Sequence, residues 1–539
     1  MKKLICFILA AGLSVLSLAA CDKNGASENE SKSVNESESS SENETIKDDV
    51  AEGSFSYSDL RYSDRVITVS DFTVNENVAE SSGENLSVNT LFTSNMVLQR
   101  GTVNCLFGYT SNSKIAVKLK DVYYYGKITN GRWEVYLPVL EADNIPFTVT
   151  IFNESSKISL NNVCIGEVYI CAGQSNMETT LGMYEEHQQD VMSANDSLLR
   201  LYKVAKVTMN STYKSAIDEY TVPTLWQITS PVSAANFSAT GYLYGKRLRE
   251  KLNMPIGLID TAVGGSQIAY WLPAETYKTL TENGAELYSG DKQQMFDCNG
   301  YNQMINPLRF YNVRGVVWYQ GETDAMGIHS GYETALTSLI NDYRKVFDNQ
   351  DLIWTVIELP RFGGCTVGYG DIRTCQQNVA EKLNGVCMSV SIDLGDWYNI
   401  HPGNKTVIAR RAADETLFDF YGISSDRSPK VVKAEQISDT QIKITFNNVG
   451  SGLSVLNDGA GFQFATSFNE NINLGYKITL CEDKRSVIAE YVSKYKLFYA
   501  EYGVNPLAED ISYFDVSKQL CIYNSEGMPA DQFIIDLGM

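Results

Sequence analysis

The sequence predicts a central three-layer α/β domain at residues 164–427, preceded by a β-sandwich-like module at 57–163 and followed by a second β-rich module at 428–539. The central region alternates compact apolar runs, which are typical of buried parallel strands, with helical patterns. The flanking regions contain short alternating segments bounded by turn residues, which indicate antiparallel strands. The predicted central strands are Glu167–Ala172, Ile256–Thr261, Val313–Tyr319, Leu352–Leu359 and Cys387–Asp393.

Local sequence signals predict where several helices, turns and strands begin and end. Ser238 is suited to cap a helix that continues to about Leu252. The stretch Tyr332–Phe347 repeats apolar residues with the spacing of one helix face. In the N-terminal module, Asn130-Gly131 predicts a tight hairpin turn. The strands predicted in the two flanking modules are Val103–Phe107, Lys114–Leu119, Trp133–Leu137, Phe147–Phe152, Val431–Ile437, Gln441–Phe446, Tyr476–Leu480 and Val487–Tyr491.

Composition excludes several classes of function. The 539 residues include 44 lysines and arginines against 65 aspartates and glutamates, which gives a net charge of -21. Because no basic block occurs, nucleic-acid binding is not expected. The eleven cysteines form no CxxC pair and no zinc-type spacing, so no metal site is predicted. Three histidines, His187, His329 and His401, are the few candidates for a base that works at neutral pH.

The N-terminal residues predict the location of the protein. Residues 1–20 have the pattern of a signal peptide, with two lysines before an apolar run from Leu4 to Leu18. The tetrapeptide that ends at Cys21 resembles the lipobox of bacterial lipoproteins, so we expect Cys21 to be lipidated; the alternative is an ordinary signal peptide with a chance cysteine. Residues 21–56 are rich in Ser, Asn and Glu and predict a disordered acidic tether. We therefore expect an exported lipoprotein at the bacterial cell surface, with the membrane as a partner through its lipid anchor.

Candidate chemical groups follow four of the predicted strands, at the edge of an α/β sheet where reactive groups collect. These segments are Gly173–Met177, Gly264–Ser266, Tyr319–Asp324 and Asp393–Pro402. Each segment alone has an ordinary structural explanation, such as a helix cap or a turn. Together they supply what acyl transfer needs, namely a nucleophilic hydroxyl, a base, and donors for a developing oxyanion.

This set of motifs resembles the SGNH hydrolase superfamily and, within it, the sialate O-acetylesterase family of carbohydrate esterases. The resemblance covers about residues 88–537, and the Gly-Gln-Ser-Asn-Met and Ile-His-Pro motifs are its most specific parts. It implies a flavodoxin-like SGNH fold for residues 164–427. The similar segments, in family order, are Leu91–Arg100, Gly173–Met177, Phe237–Ala239, Pro255–Gly257, Tyr319–Glu322, Ile400–Pro402 with Lys405, and Tyr523–Ala530.

The resemblance implies a role for each matching position. Ser175 is the expected nucleophile and His401 the expected general base. The backbone N–H of Ser175, an N–H of Gly264 or Gly265, and the side-chain amide of Gln320 are expected to form the oxyanion hole. No metal and no organic cofactor is required by this chemistry.

Other polar residues are given structural interpretations. His187 and His329 lie outside the motifs and are expected to be surface or substrate-cleft residues. Glu322 and Asp324 follow a strand end, where a solvated or network-forming carboxylate is favoured over a catalytic one.

The sequence departs from the superfamily pattern at one position. Many members place the Asp that orients the catalytic histidine three residues before it, and here that residue is Tyr398. A Ser-His dyad supported by a main-chain carbonyl is therefore expected, and Asp396 and Asp393 remain candidates for the orienting group.

The sequence thus predicts an esterase that removes acetyl groups from O-acetylated sugars, with sialic acids as the first candidate substrate. An acetylesterase for xylan or another plant glycan is the alternative within the same chemistry. A lipoprotein that binds glycans without catalysis is the alternative from another class.

Overall fold

The structure is a computed structural model that describes residues 62–206, 215–220, 222–287, 298–327, 329–363, 367–465, 476–491, 499–502 and 520–536. All of these residues belong to one compact unit, Glu52–Met539. The predicted signal peptide, Cys21 and the predicted tether lie outside the described residues. None of the helices that the structure describes has both the length and the apolar character needed to cross a bilayer.

The N-terminal module consists mainly of antiparallel strands in two sheets, and the short strands β1 and β3 pair parallel with β10. One sheet has the order β2-β4-β8-β7, and the other joins β6, β5, β9 and β10. Asn130 and Gly131 both have positive φ, 50° and 81°, in the predicted tight hairpin between β7 and β8. The strands are β1 (Ala79–Glu80), β2 (Leu86–Val88), β3 (Val97–Gln99), β4 (Val103–Thr110), β5 (Ile115–Leu119), β6 (Val122–Tyr125), β7 (Lys127–Thr129), β8 (Arg132–Val139), β9 (Asp143–Asn153) and β10 (Ser156–Gly173).

Strand β10 belongs to both the N-terminal module and the central domain. Its first residues pair with β9, and from Glu167 onward it pairs with strands of the central sheet. The predicted boundary between residues 163 and 164 therefore falls inside one strand of 18 residues, and the two regions share a hydrophobic core. The sequence pattern separated them because the flanking sheet alternates in polarity, whereas Val168–Ala172 of β10 is an apolar run.

The central sheet is parallel except for one edge strand. Its order is β12-β11-β13-β10-β14-β15-β16, in which only β12 is antiparallel to its neighbour. Because the chain extends from β10 first to one side and later to the other, the carboxyl end of β10 is the topological switch point, where open α/β sheets bind ligands. The added strands are β11 (Leu199–Lys203), β12 (Gln227–Ile228), β13 (Ile256–Asp260), β14 (Gly315–Tyr319), β15 (Ile353–Ile357) and β16 (Val386–Ser389).

Helices cover both faces of this sheet, which confirms the three-layer prediction. On β15, Thr355 Oγ1 is 2.6 Å from Thr416 Oγ1 of α9, whereas the ring of Trp354 lies 5.4 Å from that of Tyr343 on α7. Since successive strand residues point to opposite faces, α9 and α7 lie on opposite sides. The helices are α1 (Ser175–Glu178), α2 (Gln188–Ser193), α3 (Pro231–Ala235), α4 (Ala239–Leu252), α5 (Ala274–Glu282), α6 (Glu322–Ala325), α7 (Tyr332–Val346), α8 (Val367–Lys382) and α9 (Lys405–Tyr421).

The local predictions for this domain match the structure with one notable difference. Ser238 caps α4 by accepting a hydrogen bond from Gly241 N at 2.9 Å, and α7 begins at the predicted residue. The last strand is shorter than predicted and ends at Ser389 rather than at Asp393. It ends because Ser391 N turns away from the ladder to donate to the Glu358 carboxylate at 2.7 Å. Asp393 is therefore a loop residue.

The C-terminal module has its own small core and packs on the central domain. Val390 and Ile392, which follow β16, belong to this core. Gln532 accepts from Arg373 Nε at 2.7 Å and donates to Thr374 Oγ1 at 2.8 Å, and both partners lie on α8. The strands are β17 (Lys430–Ser438), β18 (Gln441–Asn447), β19 (Leu453–Val455), β20 (Phe462–Ala465), β21 (Tyr476–Leu480), β22 (Ser486–Tyr491), β23 (Tyr499–Tyr502), β24 (Ile522–Asn524) and β25 (Phe533–Asp536).

Candidate active site

Ser175 lies at the carboxyl end of β10, the central strand of the sheet, on the turn that begins α1. The turn depends on Gly173, whose φ is 138°. A Cβ at this position would lie 2.1 Å from the carbonyl oxygen of Tyr319 on β14, so only glycine permits this approach of the two strands. Gln174 N then donates to the same carbonyl at 3.0 Å. The serine is therefore held by backbone contacts at the switch point of the sheet.

The structure brings the predicted nucleophile and the predicted base together. His401 lies on the loop between β16 and α9, and its Nε2 is 2.8 Å from Ser175 Oγ. The two residues are 226 positions apart in the sequence. With the hydroxyl donating, the imidazole accepts at Nε2, which is the arrangement that activates a serine for attack on an acyl carbon.

Two effects keep His401 neutral and able to accept a proton. Burial lowers the pKa of its imidazole below the ordinary value, and the positive charge of nearby Lys405 lowers that pKa further. A base that is unprotonated at neutral pH is suited to take the proton of a serine hydroxyl.

The loop that carries His401 is held along its length. Asp396 Oδ1 accepts from the backbone N–H groups of Tyr398 and Asn399 at 2.8 and 2.9 Å. Asn399 Oδ1 accepts from the backbone N–H of His401 at 2.9 Å, and Ile400 O accepts from an amide nitrogen of the Asn176 side chain at 3.0 Å. The position of the imidazole therefore follows from local capping and from one contact with the nucleophile turn.

The two candidate orienting carboxylates both have other partners. The carboxylate of Asp396 caps the loop backbone, as described above. Asp393 forms a two-pronged ion pair with Arg411, with oxygen to nitrogen distances of 2.6 and 3.0 Å. These contacts favour a Ser-His dyad without an orienting carboxylate. Tyr398, at the position where many superfamily members carry Asp, is 75% exposed.

The glycine pair after β13 contributes one residue next to the nucleophile. A Cβ built on Gly264 would lie 3.5 Å from the Cβ of Ser175, whereas one built on Gly265 would meet nothing within 4 Å. Gly264 is therefore favoured over Gly265 as an oxyanion donor. In this structure the N–H of Gly264 donates to the carboxylate of Glu178, which also pairs with Lys206.

The contacts of Gln320 do not support its expected role as an oxyanion donor. Its Nε2 donates to Ser266 O at 3.0 Å and to Asp324 Oδ2 at 2.5 Å, and its Oε1 accepts from the Tyr332 hydroxyl at 3.0 Å. Because both amide hydrogens are already directed at buried acceptors, the side chain belongs to a hydrogen-bond network beneath the Gly264–Ser266 turn.

Glu322 and Asp324 are network-forming carboxylates, as the sequence favoured. Both are buried, and Glu322 Oε1 accepts from Asn176 Nδ2 at 2.6 Å while Asp324 Oδ2 accepts from Ile268 N at 3.1 Å. Burial raises the pKa of each carboxyl to about 7. Neither is solvated, so the solvated interpretation is wrong for both.

His187 has a structural contact with the catalytic loop that the sequence did not suggest. Its ring is 3% exposed, with Nε2 3.2 Å from Gly403 O and Nδ1 3.1 Å from Asp190 Oδ2. The expectation of a surface or cleft residue is therefore wrong for His187. His329 lies farther along the chain, 2.9 Å from Asp371, and remains partly exposed. No motif surrounds His187, so only its three-residue spacing from Asp190 offered a signal.

Together these features define a class of fold, the α/β domain of SGNH-type esterases, here with a serine hydroxyl and an imidazole in contact at the edge of a parallel sheet. Within the described residues, no group of three or more His, Cys, Asp or Glu side chains could hold a metal ion. Residues 165–407 match the family model for carbohydrate esterase, sialic acid-specific acetylesterase. The central domain of this chain is therefore similar to that family over those residues.

Comparisons with individual proteins agree with the family. The chain is 26% identical over 316 residues to the sialate O-acetylesterase of Homo sapiens, which covers 53% of this chain and 60% of that protein. It is 25% identical over 343 residues to the sialate O-acetylesterase of Mus musculus, which covers 53% and 62% respectively. The matched region thus spans less than two thirds of these relatives. A carbohydrate acetylesterase from Xanthomonas citri is 26% identical with a TM-score of 0.72, covering 84% of this chain and 100% of the other.

We expect Asp396→Asn to lower turnover by less than about tenfold, because an amide oxygen still caps the loop and His401 does not depend on that carboxylate. Asp393→Asn weakens the pair with Arg411, and we expect a similarly small effect on turnover once folding is verified by circular dichroism. Steady-state rates with p-nitrophenyl acetate provide the measurement. A loss of about 10³-fold or more in either variant would instead identify that carboxylate as the orienting group.

Proposed function

We propose that this protein is a carbohydrate O-acetylesterase that removes acetyl groups from O-acetylated sugars through a serine acyl-enzyme. The observation that carries the proposal is the 2.8 Å contact between Ser175 Oγ and His401 Nε2 at the switch point of the sheet. Ser175 attacks the ester carbonyl carbon while His401 takes the hydroxyl proton. His401 then returns this proton to the leaving sugar oxygen, and water hydrolyses the acetyl-serine with His401 again as the base.

Stabilisation of the tetrahedral intermediate is assigned to backbone donors. The N–H of Ser175 begins α1, and the N–H of Gly264 lies on the neighbouring turn beside the nucleophile. Two such backbone donors stabilise a developing oxyanion when both point at it. For Gly264 to act, its N–H exchanges the carboxylate of Glu178 for the substrate oxygen.

Sialic acids are the first candidate for the sugar. The proposal is supported by the family match and by the curated relatives, which are sialate O-acetylesterases. A plant-glycan acetylesterase is the second candidate, supported by the broader description of the Xanthomonas citri neighbour as a carbohydrate acetylesterase, whose likeness covers 84% of this chain. A protein that binds glycans without catalysis is disfavoured, because the Ser175–His401 contact is intact.

We expect Ser175→Ala to lower esterase turnover by at least about 10³-fold without loss of the fold, because the hydroxyl is the nucleophile. Hydrolysis of p-nitrophenyl acetate by the purified protein is the measurement. Ser193→Ala, an exposed serine on α2, is the matched control and should keep the parental rate. A Ser175→Ala protein that retains more than a few per cent of activity, with contamination excluded, would reject the nucleophile assignment, and an inactive parent protein would favour the binding function.

Acetate release from different natural substrates distinguishes the two candidate sugars. We expect a higher kcat/KM for O-acetylated sialic acid than for acetylated xylan, because the relatives with assigned activity act on sialates. Both substrates are compared at the same acetyl concentration with an enzymatic acetate assay, and Ser175→Ala serves as the blank. A higher kcat/KM for acetylated xylan would show that the substrate is a plant glycan, and the proposed acyl-transfer mechanism would be unchanged.

We also propose that the protein is exported and anchored by a lipid on Cys21, with residues 21–56 as the tether. The proposal is supported by the lipobox-like tetrapeptide and by the acidic, polar composition behind it. We expect the parent protein to fractionate with membranes in the native host and Cys21→Ser to be lost from that fraction. Equal distribution of the two proteins between membrane and soluble fractions would show that Cys21 is not the anchor.

A further inference from the structure

Three motif residues have no part in the acyl-transfer steps described above. Asn176 follows the nucleophile, Glu322 follows β14, and Lys405 begins α9. Their side chains meet directly beneath Ser175 and His401, and each of the three residues has 0% exposure. Buried polar groups of this kind are costly unless they are fully paired, so their contacts indicate what they do.

The amide of Asn176 connects the other two residues to the catalytic loop. Its Nδ2 donates to Glu322 Oε1 at 2.6 Å and to Ile400 O at 3.0 Å, while its Oδ1 accepts from Lys405 Nζ. The contact with Ile400 O fixes the orientation of the amide, because a carbonyl oxygen requires a donor opposite it. The oxygen end of the amide therefore faces Lys405, and its nitrogen end faces Glu322.

This orientation matches a charged pair. An amide oxygen stabilises an ammonium group, and an amide N–H stabilises a carboxylate. The Lys405 ammonium also lies over the rings of Tyr319 and Tyr184, 5.3 and 5.7 Å from their centres, where cation–π attraction favours its charge. Burial lowers the pKa of Lys405 to about 7, while the charge of Glu322 opposes that change.

The network reaches both members of the dyad. Asn176 is next to Ser175 in the chain, and its partner Ile400 is next to His401. One amide side chain thus joins the nucleophile turn to the base loop. Lys405, the first residue of α9, lies four residues after His401 in the chain, and its charge contributes to the lowered pKa of that imidazole.

We propose that Asn176, Glu322 and Lys405 form a positioning group that holds the Ser175 turn and the His401 loop in register and keeps His401 in its neutral, proton-accepting form. This assignment rests on the proposed esterase function and adds to it the electrostatic control of the base. A positive charge near the imidazole disfavours its protonation, so the base remains available at a lower pH. The charge of Glu322 favours the charged form of the lysine, which burial disfavours.

Other charged groups lie near the catalytic loop, and most are already paired. His187 contacts Gly403 O and is paired with Asp190, which also binds Lys246. The remaining groups around the loop are Glu186 beside Gly403, Glu178 with Lys206, Asp396 on the loop backbone, and Asp393 with Arg411. The Coulombic contribution to the shift of His401 comes from Lys405.

The experiment measures the pKa of the His401 imidazole directly, by following its NMR resonance as the pH changes. The chain has three histidines, so protein labelled with ¹⁵N-histidine gives few resonances, and His401→Gln assigns the one of interest. In the parent protein we expect His401 to titrate below about 6.5, the ordinary histidine pKa. In Lys405→Met we expect this pKa to rise by at least about 0.5 unit, and the acid limb of kcat/KM to move to higher pH with it.

Two further variants complete the experiment. Lys405→Met leaves the Glu322 carboxylate without the positive charge of Lys405. The double variant Lys405→Met/Glu322→Gln removes both charges, so it keeps the test valid if the single variant does not fold. The rise in the His401 pKa should persist in the double variant. Lys382→Met alters an exposed lysine that pairs with Glu333 and should change neither the pKa nor the pH profile.

Two results would overturn the assignment. One is a parent His401 that titrates at or above about 6.5. The other is a folded Lys405 variant in which the His401 pKa and the acid limb are unchanged, because a merely structural network would lower activity without moving the titration. The resonance titrates whether or not any ester is hydrolysed, so failure of the esterase proposal remains distinguishable from failure of this one.

Discussion

The hydrogen bond between Ser175 Oγ and His401 Nε2, at 2.8 Å, is the interaction on which the rest of the site depends. It requires that the end of the central strand and a loop 226 residues later meet to within a few tenths of an ångström. The sheet supplies the first position, through the close approach of β10 and β14 that Gly173 permits. Capping by Asp396 and Asn399 supplies the second. The geometry is therefore set by rigid backbone rather than by long side chains.

The polar groups beneath the dyad explain why this geometry can be maintained in a buried site. Gln320 and Asp324 are enclosed but matched with donors and acceptors, and Glu322 is held through Oε1, while its Oε2 has no hydrogen-bond partner among the described residues. A buried network of this kind resists rearrangement, since breaking one contact leaves a group without water or partner. The same enclosure shifts the pKa of the carboxyls upward and that of His401 downward, so a single cause, burial, rigidifies the site and sets its protonation states.

Much of the fold and part of the site could be predicted from sequence because the relevant signals are local. Apolar runs located β13, β14, β15 and β16 and the end of β10, and Ser238 marked the start of α4, but β11 and β12 were not predicted and β10 begins well before the predicted Glu167. The end of β16 at Ser389 depends on a contact with Glu358, which follows β15, and no local pattern encodes that contact. For a similar reason no local pattern shows that the predicted boundary near residue 163 falls inside β10, which pairs with β9 up to an irregularity at Leu160–Ile165 and with the central sheet from Glu167 onward.

The sequence by itself determined which residues are the candidates for the chemistry, since Ser175, Gly264 and His401 lie in motifs that follow strands and resemble those of a known family. Only the tertiary structure decided how these residues are used. It directed the amide of Gln320 into a buried network, placed Asp393 against Arg411, and brought His187 to the catalytic loop. The physical reason is that a motif fixes the identity of a residue and its local backbone conformation. The partner of a buried polar side chain, in contrast, lies far away in the sequence, and it depends on which donors and acceptors the fold buries beside that side chain.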